Sequence, residues 1–144
     1  MELEIRPYQE TDESEVIALW QVCELTRPWN DPRKDIRRKQ AVDPELFLVG
    51  LREGKLVATV MAGYEGHRGW INYLAVHPEQ RGRNHGRQIM AAAEKLLRGL
   101  GCPKINLMVR ASNRSVVEFY QQLGYAVDEV VTLGKRLEHD DEKQ

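Results

Sequence analysis

A chain of 144 residues is long enough for one domain with a full hydrophobic core and too short for two ordinary ones. With 42% hydrophobic and 30% charged residues it reads as a globular protein, and a formal net charge of −1 argues against a whole-protein field that draws nucleic acid or an anionic membrane. Its two cysteines, Cys23 and Cys102, stand far apart in no ligand spacing, which argues against a disulfide framework or a zinc site; no metal is expected.

The opening MELEIRPYQE is acidic and has no apolar run, so it does not read as a targeting segment, and no stretch approaches the length of a membrane span. The cytoplasm is the expected compartment. Leu3 to Arg6 predicts a short strand that Pro7 limits. Thr11 or Asp12 reads as an N-cap, and Val16, Ile17, Leu19, Trp20 and Cys23 predict a helix over about 13–25. The stretch TRPWNDP, 26–32, breaks regular structure, and a second helix is expected from Pro32 to about Ala41. Leu46 to Arg52 and Lys55 to Tyr64 predict a hairpin around Glu53-Gly54, and after the turn EGHRG the meander continues over Trp70 to Val76. A helix is expected over about 86–100, with Gly99 and Gly101 near its end, then a strand over 104–110 with Ile105, Leu107 and Val109 alternating. Ser112 or Asn113 should cap a helix to about Leu123, ended by Gly124. Tyr125–Val127 and Val130–Leu137 read as closing strands, and the charged tail from Glu138 to Gln144 as frayed. The pattern has no repeat or linker. Propensity alone gives an α+β fold with a mixed sheet in a single domain over 1–144.

The most informative stretch is INYLAVHPEQRGRNHGR, 71–87. It places a strand, a turn rich in Arg and Gly, and a helix start in that order. The first N–H groups of a helix lack intrahelical partners and carry the positive end of the macrodipole. Gly82 and Gly86 let backbone approach a bulky anion, and Arg81, Arg83 and Arg87 add cationic donors. The physical reading is a diphosphate cradle. A solvated surface loop is the plainer alternative.

Val76-His77-Pro78 followed by Arg81-Gly82-Arg83-Asn84-His85-Gly86 resembles the acyl-CoA-binding signature of the GNAT family of N-acetyltransferases. The family loop has Gly where this chain has Asn84, and Asn is the non-glycine residue that best tolerates a left-handed backbone. The resemblance covers most of the chain. It implies a three-layer α/β/α fold around a central mixed, mostly antiparallel sheet, with acetyl-CoA as acyl donor. It assigns the cofactor to the loop 81–87, to backbone groups of Leu74, Ala75 and Val76 on a splayed strand, and to Asn113. A second block, NRSVVEFYQQLGY, 113–125, resembles the family's second conserved segment and implies Tyr120 as the acid that protonates the leaving thiolate. Without the resemblance, Asn113 is an N-cap and Tyr120 core at helical spacing.

An amine with a pKa of ~10 must lose a proton before attack. Glu65 is the first candidate for the base, through water, and it also reads as a solvated turn carboxylate. Trp29 and Asn30, in the break between the first helices, and His67 are candidates for acceptor binding. The basic run RKDIRRK, 33–39, reads as a solvated helix face or as a lure for an acidic ligand. The expectation is therefore acetyl transfer to a small-molecule or peptide amine in a ternary complex, without nucleic acid or membrane partners. The family leaves room for a homodimer. The alternatives are a non-catalytic acyl-CoA-binding sensor or scaffold of the same fold, and nucleotide binding without acyl transfer.

Overall fold

The computed structural model describes residues 3–140. Its strands are β1 (Glu4–Pro7), β2 (Phe47–Arg52), β3 (Lys55–Tyr64), β4 (Gly69–Val76) and β5 (Ile105–Leu107). Its helices are α1 (Glu13–Val22), α2 (Pro32–Gln40), α3 (His85–Gly99) and α4 (Arg114–Gln122). The five strands form one sheet in sequence order, antiparallel from β1 to β4, with β5 parallel to β4.

Period-two patterning splits β2 between two cores. Leu48 faces one with Ile89, Met90, Ala93 and Leu97 of α3 and Tyr120 of α4, and Phe47 and Val49 face the other with Val16, Ile17, Leu19 and Trp20 of α1 and Ile36 of α2. The sheet is thus covered on both faces, as a three-layer fold requires. Trp20, Phe47, Ile89 and Leu97 are completely enclosed, and truncating one such side chain to Ala typically costs about 2–5 kcal/mol. The β2–β3 hairpin closes through Glu53 and Gly54, both at positive φ (53° and 80°), the backbone of a type I′ turn.

The feature that shapes the site is a bulge. Thr59 pairs with Ala75 and Met61 with Asn72, so Val60 opposes both Tyr73 and Leu74. Tyr73 there takes a left-handed φ of 51°. Beyond the bulge the sheet opens: β5 pairs with β4 only over Gly69–Ile71, and residues 108–110 leave the ladder.

Several boundaries differ from expectation. Helix α1 stops at Val22, because Glu24 at φ 59° closes it: Leu25 N–H bonds Trp20 C=O at 2.9 Å and Glu24 N–H bonds Gln21 C=O at 3.0 Å. Neither Thr11 nor Asp12 caps that helix. The Asp12 carboxylate instead accepts the Gln9 N–H at 2.9 Å and pairs with Arg6 at 2.7 Å. The closing strands over 125–127 and 130–137 do not form. Val127, Val130, Val131, Leu133 and Leu137 stand at least 73% exposed, so neither face of this segment is buried, and the three-residue β5 offers little edge to pair with. The tail is not frayed as far as it is described: Asp140 is buried, accepts the Asp31 N–H at 2.9 Å and pairs with Arg38 at 2.6 Å. Residues 141–144 lie outside the described chain.

Candidate active site

The loop between β4 and α3 is built as its composition requires. Gly82 has φ 80° with open space around it, and Asn84 has φ 64° and ψ 15°, the left-handed conformation expected for this position. Helix α3 starts immediately after, at His85, and its first backbone donors face a loop in which Arg81, Gly82, Arg83 and Asn84 are all exposed. The His85 ring is turned inward and buried, so only its backbone N–H can serve an anion at this loop. Gly86 is where the loop meets the rest of the site. A Cβ there would lie 3.1 Å from the Phe119 ring of α4 and 3.7 Å from Cγ2 of Val76 at the end of β4. Absence of a side chain thus brings strand, cradle and α4 into mutual contact.

The β5-facing edge of Asn72–Val76 has no strand partner among the described residues. The Val76 carbonyl is taken by side chains: Cys23 Sγ donates to it at 3.3 Å and Arg81 Nε at 3.2 Å. Burial pushes the Cys23 thiol pKa up and the Arg81 guanidinium opposes it, so Cys23 stays a thiol. An open strand edge beside an anion cradle can hold an extended, amide-containing chain that ends in a phosphate, as the arm of an acyl-CoA does. The residues present fit that group.

Tyr120 sits one residue along from the Phe119 contact, 7% exposed, with edge-on packing to Phe119 (5.2 Å) and Tyr125 (5.6 Å). Burial raises its pKa, so the phenol holds its proton at neutral pH. Asn113 precedes α4 but caps nothing with its side chain. Its Oδ1 accepts the Ser115 hydroxyl at 3.3 Å, and the residue is exposed beside the opening helix.

Residues 14–125 match the model of the acetyltransferase (GNAT) family. The chain belongs to the GNAT family. An acetyltransferase of Yersinia enterocolitica is 50% identical over 140 residues, spanning 97% of this chain and 99% of its own. One from Sodalis glossinidius is 50% identical over 141 residues with the same coverage. Among solved structures, the fold is similar to Ard1 from Thermoplasma volcanium, with a TM-score of 0.78 at 24% identity over 89% of this chain and 85% of that one. It is also similar to the PaiA N-acetyltransferase of Thermoplasma acidophilum in complex with coenzyme A, with a TM-score of 0.70 at 19% identity over 91% and 94%. Among the described residues, no helix is long and apolar enough to cross a membrane and no cluster of metal ligands occurs.

On the α2 side of this GNAT sheet a cavity of about 300 Å³ opens beside the bulge, with Lys39, Met61, Tyr64, Glu65, Trp70 and Asn72 in its wall. Glu65 is fixed there: its carboxylate accepts the backbone N–H of Arg68, the N–H of His67 at 3.2 Å and Trp70 Nε1 at 3.0 Å. These donors, Arg68 first, hold its pKa below the usual carboxylate range. His67 is exposed in the same turn, outside the cavity wall. Trp29 (45% exposed) and Asn30 are also outside it, in the α1–α2 connection, where Asn30 Oδ1 accepts from Arg136 at 2.9 Å. The basic run of α2 is largely engaged internally. Arg38 pairs with Asp35 and Asp140, Lys34 donates to the Asp140 carbonyl, and Lys39 to that of Ala62.

Four residues that support the site carry no motif. Trp20 Nε1 donates to Thr59 Oγ1 at 2.9 Å, and Thr59 Oγ1 donates to the Tyr73 carbonyl at 2.9 Å. The Tyr73 ring stacks on Trp20 at 3.8 Å, and its hydroxyl donates to Asp35 at 2.6 Å. These contacts hold the left-handed Tyr73 from backbone and side chain together, and with it the bulge. In sequence, Thr59 is only a polar residue in an apolar strand, the one hint available.

Proposed function

We propose that this protein transfers an acetyl group from acetyl-CoA to a primary amine by direct attack in a ternary complex. The observation that supports the reading is the place of Gly86, where an added Cβ would lie 3.1 Å from Phe119 and 3.7 Å from Val76, so that the Arg-Gly loop sits beside an open strand edge and next to the helix that carries a buried phenol. Acetyl-CoA would supply the acyl group as an activated thioester. The N–H groups of 82–87, with Arg81, Arg83 and Arg87, would bind the diphosphate, and Asn113 would hydrogen-bond the arm. Of the strand 74–76, the N–H groups of Leu74 and Val76 would donate to the thioester oxygen as it gains charge, because Ala75 pairs with Thr59 of β3 and its N–H is turned away from the open edge. Tyr120, kept protonated by burial, would give its proton to the departing sulfur.

The amine would enter from the cavity beside the bulge. There Trp70 and Tyr64 offer aromatic surface and Glu65 a fixed negative charge suited to an ammonium. Glu65 would take the proton through water. Its lowered pKa makes it a weak base, so much of its effect would be attraction of the cation. Trp29, Asn30 and His67 would contact those parts of an acceptor that project beyond the cavity.

The test is Tyr120→Phe assayed with acetyl-CoA against a panel of amines. Loss of the acid should lower kcat by about 10²-fold or more with cofactor affinity nearly unchanged. Unchanged turnover in the variant would remove the acid role from Tyr120. Acetyl-CoA binding without acetylation of any amine would favour the sensor or scaffold reading instead.

A further inference from the structure

The hairpin end of the sheet holds a second opening that shares only Arg83 with the residues assigned to acyl transfer. Arg52, Glu53, Lys55, Val57, Gln80 and Arg83 line a cavity of about 370 Å³. None of them belongs to β4, β5 or α4, the elements of the strand opening. Three lining residues are permanent cations and one is an acid. Among the described residues, none of Arg52, Lys55 and Arg83 takes part in an ion pair. Like charges gathered without a counterion repel, and an anionic ligand removes that cost.

The opening is also partly pre-organised. Arg52 Nη1 donates to Gln80 Oε1 at 3.0 Å, which orients the guanidinium, while its Nε is shielded from solvent without a partner. Behind the loop, His85 is 2% exposed with both ring nitrogens unpartnered, and Gln88 Oε1 is buried and unpartnered too. Burial lowers the His85 pKa; the neighbouring Gln88 side chain opposes this, and the fields of Arg52 and Arg83 add to the lowering. A shielded polar atom without a partner destabilises the fold, so the unpartnered Arg52 Nε in the lining favours an acceptor ligand at this cavity.

We propose that this cavity binds a phosphate monoester, at a site that adjoins the diphosphate cradle and shares Arg83 with it. A monoester carries close to two negative charges at neutral pH, which matches the excess of two positive charges in the lining. The guanidinium fork of Arg52 suits paired phosphate oxygens, and Lys55 and Arg83 supply further cationic donors. The volume exceeds that of a bare phosphate and leaves room for the organic half of the ester, whose hydroxyl groups Glu53 can accept. A single carboxylate ligand would leave the lining half-neutralised. Two sources present this chemistry: the 3′-phosphate of CoA, in which case the inference rests on the acyltransferase reading, or a separate phosphorylated metabolite.

The experiment is calorimetric titration of inorganic phosphate into protein saturated with dephospho-CoA, which fills the cradle and lacks the monoester. Saturable phosphate binding that falls at least about tenfold in Arg52→Gln/Lys55→Gln is expected, since each lost charged contact is typically worth ~1.5–3 kcal/mol. Lys55→Gln alone, at an exposed position, gives the same test without risk to folding. Failure of phosphate to bind, or equal binding to wild type and variants, would overturn the site. The source follows from a second arm. If CoA binds about tenfold or more tighter than dephospho-CoA and the variants abolish that preference, the ester is the cofactor's own; equal binding of the two points to a separate metabolite. If dephospho-CoA does not bind at all, the acyltransferase reading fails on its own. Phosphate titrated into the free protein then decides the cavity.

Discussion

Thr59 shows how a single hydroxyl can hold a strained backbone bulge. Itself completely buried, it accepts from Trp20 and donates to the half-buried carbonyl of Tyr73, both at 2.9 Å. Thr59→Val keeps the shape and leaves a buried indole N–H and a carbonyl unpaired. About 1–3 kcal/mol per orphaned group is at stake. Thermal denaturation should show a midpoint lowered by about 4 °C or more. If the bulge aligns the thioester, kcat should fall as well, and Thr59→Ser should restore most of it. A variant with lowered stability and unchanged kcat would make Thr59 a structural residue only. The residue scale is also where the sequence was least legible. Asn84 could be read, because its backbone tolerance is intrinsic to its side chain. Glu65 could be located, but not its three donors, which belong to a turn and to Trp70 five residues on. Nothing local signals that His85 turns inward or that Tyr73 takes a positive φ, since both depend on packing from distant segments.

Elements with strong patterns were legible, and those that depend on a partner were not. Helix α3 carries Ile89, Met90, Ala93 and Leu97 at helical spacing, and the β2–β3 hairpin carries its turn residues, so both formed as expected. The segment 125–137 has strand-forming residues but no sheet edge or covering layer, and its irregular course ends where Asp140 docks at the start of α2. That docking makes an acid-sensitive contact. The Arg38 guanidinium, with the Asp31 N–H, holds the Asp140 carboxyl well below the usual carboxylate range. The unfolded chain, with an ordinary pKa of ~3.9, takes up the proton first as pH falls. The stabilising effect is therefore full above about pH 4 and is lost below it as pH falls toward the folded-state pKa. Asp12, paired with Arg6, follows the same sign. Denaturation from pH 7 to pH 3 should show a shallower acid loss in Asp140→Asn than in wild type. Parallel curves would mean that the tail does not contribute.

At the scale of the molecule, the sheet divides the labour. One face buries α1 and α2 and carries the pinned bulge and the cavity lined by Glu65 and Trp70, and the other buries α3 and α4 and carries the buried Tyr120. The opening between β4 and β5 begins where their pairing ends, at Ile71 and Leu107. Its existence follows from a short β5, which the alternating Ile105, Leu107 and Val109 did not reveal: the pattern runs longer than the ladder. The central claim is that this opening holds an acyl-CoA against the cradle. Calorimetric titration with acetyl-CoA, with ATP as control, tests it most directly. Saturable binding of acetyl-CoA, much tighter than that of ATP and weakened by Gly86→Ala through its contact with Phe119, is the expected result. Equal affinity for ATP, or no binding at millimolar acetyl-CoA, would contradict it.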